Sequence, residues 1–126
     1  MRIMGQKLRQ LPKTNVYLAF YGEGERADYM KVGVSKNVHA RMKGIRTGNP
    51  LPLLYLYSVV LDGRRKALSV ESAILDHVDG SRITGEWARL GRMSEGAVEA
   101  VVESLGEVAS QTAGQQVKFK RHGVYQ

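Results

Sequence analysis

The chain contains no cysteine, which excludes a disulfide framework, a thiolate zinc site and a cysteine nucleophile together. Its three histidines, His39, His77 and His122, are far apart in sequence, which argues against a zinc site built on imidazole alone. No run approaches the roughly 20 apolar residues that a membrane-crossing helix needs. Arg2, Lys7 and Arg9 have no apolar stretch behind them, so the N-terminus does not read as a secretory signal. Internal repeats and low-complexity segments are missing as well. A cytoplasmic protein is the resulting expectation.

What is present fits one domain. The chain has 126 residues, 43% of them apolar and 25% charged, enough for one modest core. A net charge of +7 and a pI of about 9.9 suggest a polyanionic partner, of which nucleic acid is the commonest. That charge is unevenly spread. Residues 93–112 hold no base and four acids (Glu95, Glu99, Glu103, Glu107), whereas Lys118, Lys120 and Arg121 make the end of the chain basic again. A basic body beside an acidic helix implies one face for a polyanion and another turned away.

Residues 16–21 (VYLAFY) and 29–34 (YMKVGV) read as paired strands across a turn-prone GEGERAD. Strand alternation places Val16, Leu18 and Phe20, with Met30, Val32 and Val34, on a core face. Tyr17, Ala19 and Tyr21, with Tyr29, Lys31 and Gly33, fall on the other. A helix capped by Ser35 is expected over 36–46, with Val38, Met42 and Ile45 as its stripe and Arg41 at the stripe's edge. The turn Thr47-Gly48-Asn49-Pro50 ends it. Residues 53–61 read as a third, central strand, 64–78 as a helix, and 81–90 as a loop and short strand around Trp87. Ser94 can cap a last helix to about 110. The tail from Gln115 reads either as a strand through Val117 and Phe119 or as a disordered segment.

The helix over 64–78 contains a conflict. Ala67, Leu68, Val70, Ile74, Leu75 and Val78 define one apolar arc, and Glu71 lies inside it. A carboxylate on a buried face is costly unless it is paired or binds a metal. Glu71 therefore needs a partner.

The ordered series Val16-Tyr17, Lys31-Val32-Gly33, Arg41, TGNP, Glu71 and Gly85-Glu86-Trp87 resembles the GIY-YIG nuclease superfamily, in particular its compact phage-type branch. The resemblance spans roughly residues 15–91. Two departures stand out: Asn15-Val16 replaces the Gly-Ile of the first motif, and Lys31 occupies the tyrosine position of the second. The resemblance implies an α+β fold, a small three-stranded antiparallel sheet flanked by helices, here with an additional C-terminal helix. It divides the chain into a basic extension (1–14), a nuclease domain (15–91), an acidic helix (92–112) and a basic tail (113–126).

It also implies a Mg²⁺- or Mn²⁺-dependent endonuclease that cuts DNA, in a bacterial or phage-infected host cell. Tyr17 would act as general base or orient the attacking water, and Glu71 would hold the metal. Lys31 and Arg41 would supply cationic stabilisation of the phosphate. Gly33 would permit close approach, and Tyr21, Tyr29 and His39 would serve as substrate-binding groups. Glu86 fits the final motif without an assigned role, and Trp87 reads as a core anchor. A buried Glu71–Arg41 ion pair is the competing explanation for the glutamate. Two other functions compete: a non-catalytic nucleic-acid- or partner-binding module of the same fold, and an accessory subunit docking a protein partner or second copy through its acidic helix.

Overall fold

The strand β1 (Lys13–Glu23) sits in the middle of the molecule because both of its faces are apolar. Val16, Leu18 and Phe20 point one way and Tyr17, Ala19 and Tyr21 the other, and all six are buried. A strand buried on both faces requires a layer on each side. The computed structural model describes residues 12–46 and 49–123, with 81–84 as backbone only.

β1 pairs antiparallel with β2 (Arg26–Ser35) on one side and β3 (Leu53–Asp62) on the other. β5 (Trp87–Met93) adds to β2, β4 (Arg82–Thr84) adds to β5, and β6 (Lys120–Arg121) lies on the outer edge of β3. The order is therefore β4-β5-β2-β1-β3-β6. The α+β class holds, but the expected three-stranded sheet has six strands among the described residues, and β3 is not central. Residues 81–90 supply more sheet than the sequence suggests, because β2 offers β5 an open edge that local patterning does not reveal.

The helix α1 (Val38–Arg46) covers the Tyr17 face, burying Val38 and Met42 against Tyr17, Ala19, Tyr21 and Leu56. It begins two residues later than expected. Ser35 is still in β2, paired with Asn15, so Asn37 caps the helix instead: its Oδ1 accepts from the Ala40 amide at 3.0 Å. Thr47 and Gly48 of the expected helix-ending turn lie outside the described residues, as do residues 1–11 of the basic extension and the last three of the tail.

α2 (Arg64–His77) and α3 (Glu95–Ala113) cover the opposite face, in one core with Val16, Leu18, Phe20, Met30 and Val32. Ser94 caps α3, accepting from the Ala97 amide at 3.3 Å. Val98, Val102, Leu105 and Ala109 face inward, and the four glutamates stay exposed. The tail is docked along its described length. Val117 and Phe119 are buried, and the Val117 amide donates to Ser110 Oγ at 2.8 Å. Arg121 pairs with Glu95, and His122 Nε2 meets Ser58 Oγ at 2.6 Å. Among the described residues no helix is long and apolar enough to cross a membrane.

Candidate active site

Tyr17 on β1 faces Gly33 on β2 across the central strand pair. A Cβ built on Gly33 would lie 2.6 Å from Tyr17 Cε2, and closer still to Cζ and the hydroxyl oxygen. The phenol ring therefore lies over the Gly33 backbone, and only glycine leaves room for it. This path buries Tyr17 completely, and its hydroxyl has no hydrogen-bond partner. Burial raises the phenol above its ordinary pKa. The nearby Arg41 guanidinium of α1 opposes that, while Glu86 and Glu71 push the same way as burial. Tyr17 is thus a neutral phenol at physiological pH.

Lys31 lies two residues before Gly33, on the same face of β2 and opposite Trp87 of β5. Its stem is enclosed, leaving it 8% exposed, and Nζ sits 5.3 Å from the centre of the Trp87 ring. Nζ also donates to Glu86 Oε1 at 2.9 Å. Glu86 is brought there by a tight hairpin: Thr84 pairs with Trp87, leaving Gly85-Glu86 as the connection. Gly85 takes a φ of 52°, a left-handed conformation that suits glycine. The Glu86 carbonyl accepts from the Val32 amide at 3.0 Å, which fixes the hairpin tip against β2. Trp87 is half-buried beside Tyr21, at 5.3 Å between ring centres, and so walls the site as well as anchoring the sheet.

Glu71 reaches the same place from α2. Its neighbours Val70 and Ile74 are buried in the core, whereas Glu71 is half-buried and directs its carboxyl to Glu86. Burial, contact with Glu86 and the charge of Glu86 raise the Glu71 pKa to about 7, against the weaker pull of Lys31 and Arg64. Burial also acts to raise Glu86, but its hydrogen bond from Lys31 leads the interactions that hold it below its usual range. Two carboxyls in contact can bond only through a shared proton, and once both ionise Glu71 Oε2 is buried without a donor. No ion pair joins Glu71 to Arg41: the arginine serves Tyr17, and the partner of Glu71 is another acid.

These five side chains, on four elements and one turn, form a patch rich in oxygen acceptors beside two cations. Its donor set suits a hard divalent cation, because paired carboxyl oxygens and an orphaned buried oxygen are what such an ion satisfies. Among the described residues no group of three or more His, Asp or Glu side chains assembles as a metal cluster. An open cleft of about 720 Å³ leads to the patch, with Lys31, Lys36, Arg41 and Trp87 in its walls.

The remaining sequence candidates stand at the margin. Tyr21 is buried and its hydroxyl, pushed up to about 12 by burial, turns to Met42 Sδ at 3.9 Å. Tyr29 lies beneath the guanidinium of Arg89 at 5.8 Å. His39 projects from α1 against His122, with ring centres 5.3 Å apart. The leading influences on Tyr17, Glu71 and Glu86 come from burial, from one another and from Lys31, Arg41 and Arg64. Glu86 is the member that sequence reasoning left without a role. Its available signal was an acid directly after a turn glycine, close to the only tryptophan.

Comparison with known proteins gives one family: the T5orf172 domain matches residues 15–106, a span that contains every member of the cluster. No curated protein matches the chain, and no solved structure does.

Proposed function

The chain belongs to the T5orf172 domain family, and from that premise we propose that it is a divalent-metal-dependent endonuclease of GIY-YIG type, hydrolysing phosphodiester bonds in DNA. The observation that carries this reading is the convergence of Arg41, Glu71 and Glu86, distant in sequence, around the buried and unpartnered hydroxyl of Tyr17, with Lys31 bonded to Glu86 beside them.

Each side chain has a task that its surroundings support. Glu71 would hold Mg²⁺ or Mn²⁺ through carboxylate oxygen. When bound, the cation supplies Lewis-acid stabilisation of the charge on the phosphate and the leaving oxygen. Arg41, exposed at the mouth of the cleft, offers planar donors to two phosphate oxygens while one edge of its guanidinium approaches Tyr17. Lys31 adds a fixed positive charge from the floor of the site. Tyr17, kept neutral by burial, orients the attacking water by hydrogen bonding rather than by removing its proton as a phenolate. In-line displacement at phosphorus depends mainly on positioning and charge, so few groups suffice.

DNA has a route to this cleft. The exposed surface of α1 and its approach carries Lys36, Arg41, Lys43 and Arg46 with no acid among them. Such a ridge suits a phosphate backbone and makes binding fall steeply with salt. The test is strand scission of supercoiled plasmid with Mg²⁺, with Mn²⁺ and with EDTA. Metal-dependent nicking or linearisation is expected. DNA binding without any scission, over a range of protein concentrations, would favour the non-catalytic module instead.

A further inference from the structure

We infer that Glu86 is a second carboxylate ligand of the cation, sharing it with Glu71; this deepens the nuclease reading above and rests on it. Three oxygen-bearing groups from separate parts of the fold come together here: the Glu71 and Glu86 carboxyls touch, and the Tyr17 hydroxyl is near enough for both charges to act on it. Glu71 comes from α2, Glu86 from the Gly85-Glu86 turn and Tyr17 from β1. The Tyr17 hydroxyl is wholly buried without a partner, and Glu71 Oε2 is buried without a donor. Buried polar atoms are almost always satisfied, so two orphans beside one carboxyl pair mark a place built for something else. A hydrated divalent cation satisfies all of them, accepting carboxylate oxygens directly and presenting its waters to the phenol.

Charge makes the same demand. A dication held by Glu71 alone would stand close to the Lys31 ammonium and the Arg41 guanidinium with a single negative charge to offset it. Glu86 supplies the missing charge. Lys31 engages it through Oε1 only, so the carboxylate retains acceptor capacity while it fixes the lysine. The hairpin geometry serves this placement: Gly85 in its left-handed conformation and the bond from the Val32 amide to the Glu86 carbonyl hold the residue at the rim of β2.

The experiment is direct titration of Mn²⁺ into the wild-type protein, Glu71→Gln and Glu86→Gln, read by the loss of the free-ion electron paramagnetic resonance signal, without and with duplex DNA. Melting curves in EDTA establish that each variant is folded. If glutamine at 86 prevents folding, Glu86→Asp takes its place, since it keeps the charge but shortens the reach. The inference predicts one site in the wild-type protein and an affinity at least about tenfold weaker in either glutamine variant. Glu86→Asp should fall between wild type and Glu86→Gln. Wild-type affinity in Glu86→Gln, with binding lost in Glu71→Gln, would overturn the role of Glu86 and leave the single-ligand nuclease intact. A wild-type protein that takes up no Mn²⁺ even with DNA present would overturn the metal-dependent reading itself.

Discussion

The phenol ring of Tyr17 lies across the backbone of Gly33, its antiparallel partner, and no larger residue fits beneath it. This contact links the sheet to the chemistry. β1 and β2 form the rigid centre of the fold, and the missing side chain at 33 lets the catalytic candidate on one strand reach over the other toward Arg41, Glu71 and Glu86.

Gly33→Ala tests that link. The added methyl must displace the Tyr17 ring, which should destabilise the protein by about 1–3 kcal/mol in thermal melts. A ring moved by about 1 Å should cut strand scission by about 100-fold. An alanine variant with wild-type melting and activity would show that the ring does not need the space.

Tyr17→Phe separates function from stability. Removing a buried hydroxyl without a partner should leave melting unchanged or raise stability by up to about 1 kcal/mol. Plasmid cleavage should fall by about 100-fold or more if that oxygen orients the water. A fully active phenylalanine variant would remove Tyr17 from the mechanism.

The acid pair predicts a specific response to pH. The folded protein holds Glu71 with a pKa of about 7, against 4.5 in its ordinary state. Between those values the folded state keeps a proton that the unfolded chain has lost, so stability from this group is present at low pH and is lost as pH rises through about 7. Glu86 has the opposite sign, its contribution present above its ordinary pKa and lost as pH falls. In EDTA, wild-type melting should therefore decline relative to Glu71→Gln between about pH 5 and pH 8. Parallel curves for the two proteins over that range would contradict the pairing.

The tail offers a prediction independent of the site. Phe119 is 7% exposed and packs in the main core just before β6. Phe119→Ala should cost about 3 kcal/mol and expose the last residues to limited proteolysis. Arg121→Ala, at a partly exposed ion pair with Glu95, should change stability by about 1 kcal/mol or less. Equal effects from the two substitutions would mean that the tail is held by charge rather than by burial.

Much of this was legible in the sequence, and what was missed has a common cause. Strand alternation placed Tyr17, Lys31 and Gly33 on one face, and the conflict between Glu71 and its apolar helix pointed to a special environment. The start of α1 was misplaced because Ser35 and Asn37 are both good caps, and the choice depends on β2 running through Ser35 to pair with Asn15. β5, β4 and β6 were missed or undercounted because their pairing partners are supplied by tertiary structure. Glu86 escaped for the same reason: nothing local to a Gly-Glu-Trp turn shows that its carboxyl will meet an acid from α2. The competing Glu71–Arg41 pair does not form, and the sequence could not decide this, because helix phase says that two residues face a core but not which neighbour each will meet.

The most direct test of the account compares wild-type protein and Glu71→Gln on supercoiled plasmid, at concentrations giving equal DNA occupancy, with Mg²⁺ and with EDTA. Nicked or linear DNA is expected from the wild-type protein with Mg²⁺ alone, and intact plasmid from Glu71→Gln despite undiminished binding. Equal cleavage by the two proteins, or cleavage by the wild-type protein in EDTA, would contradict it.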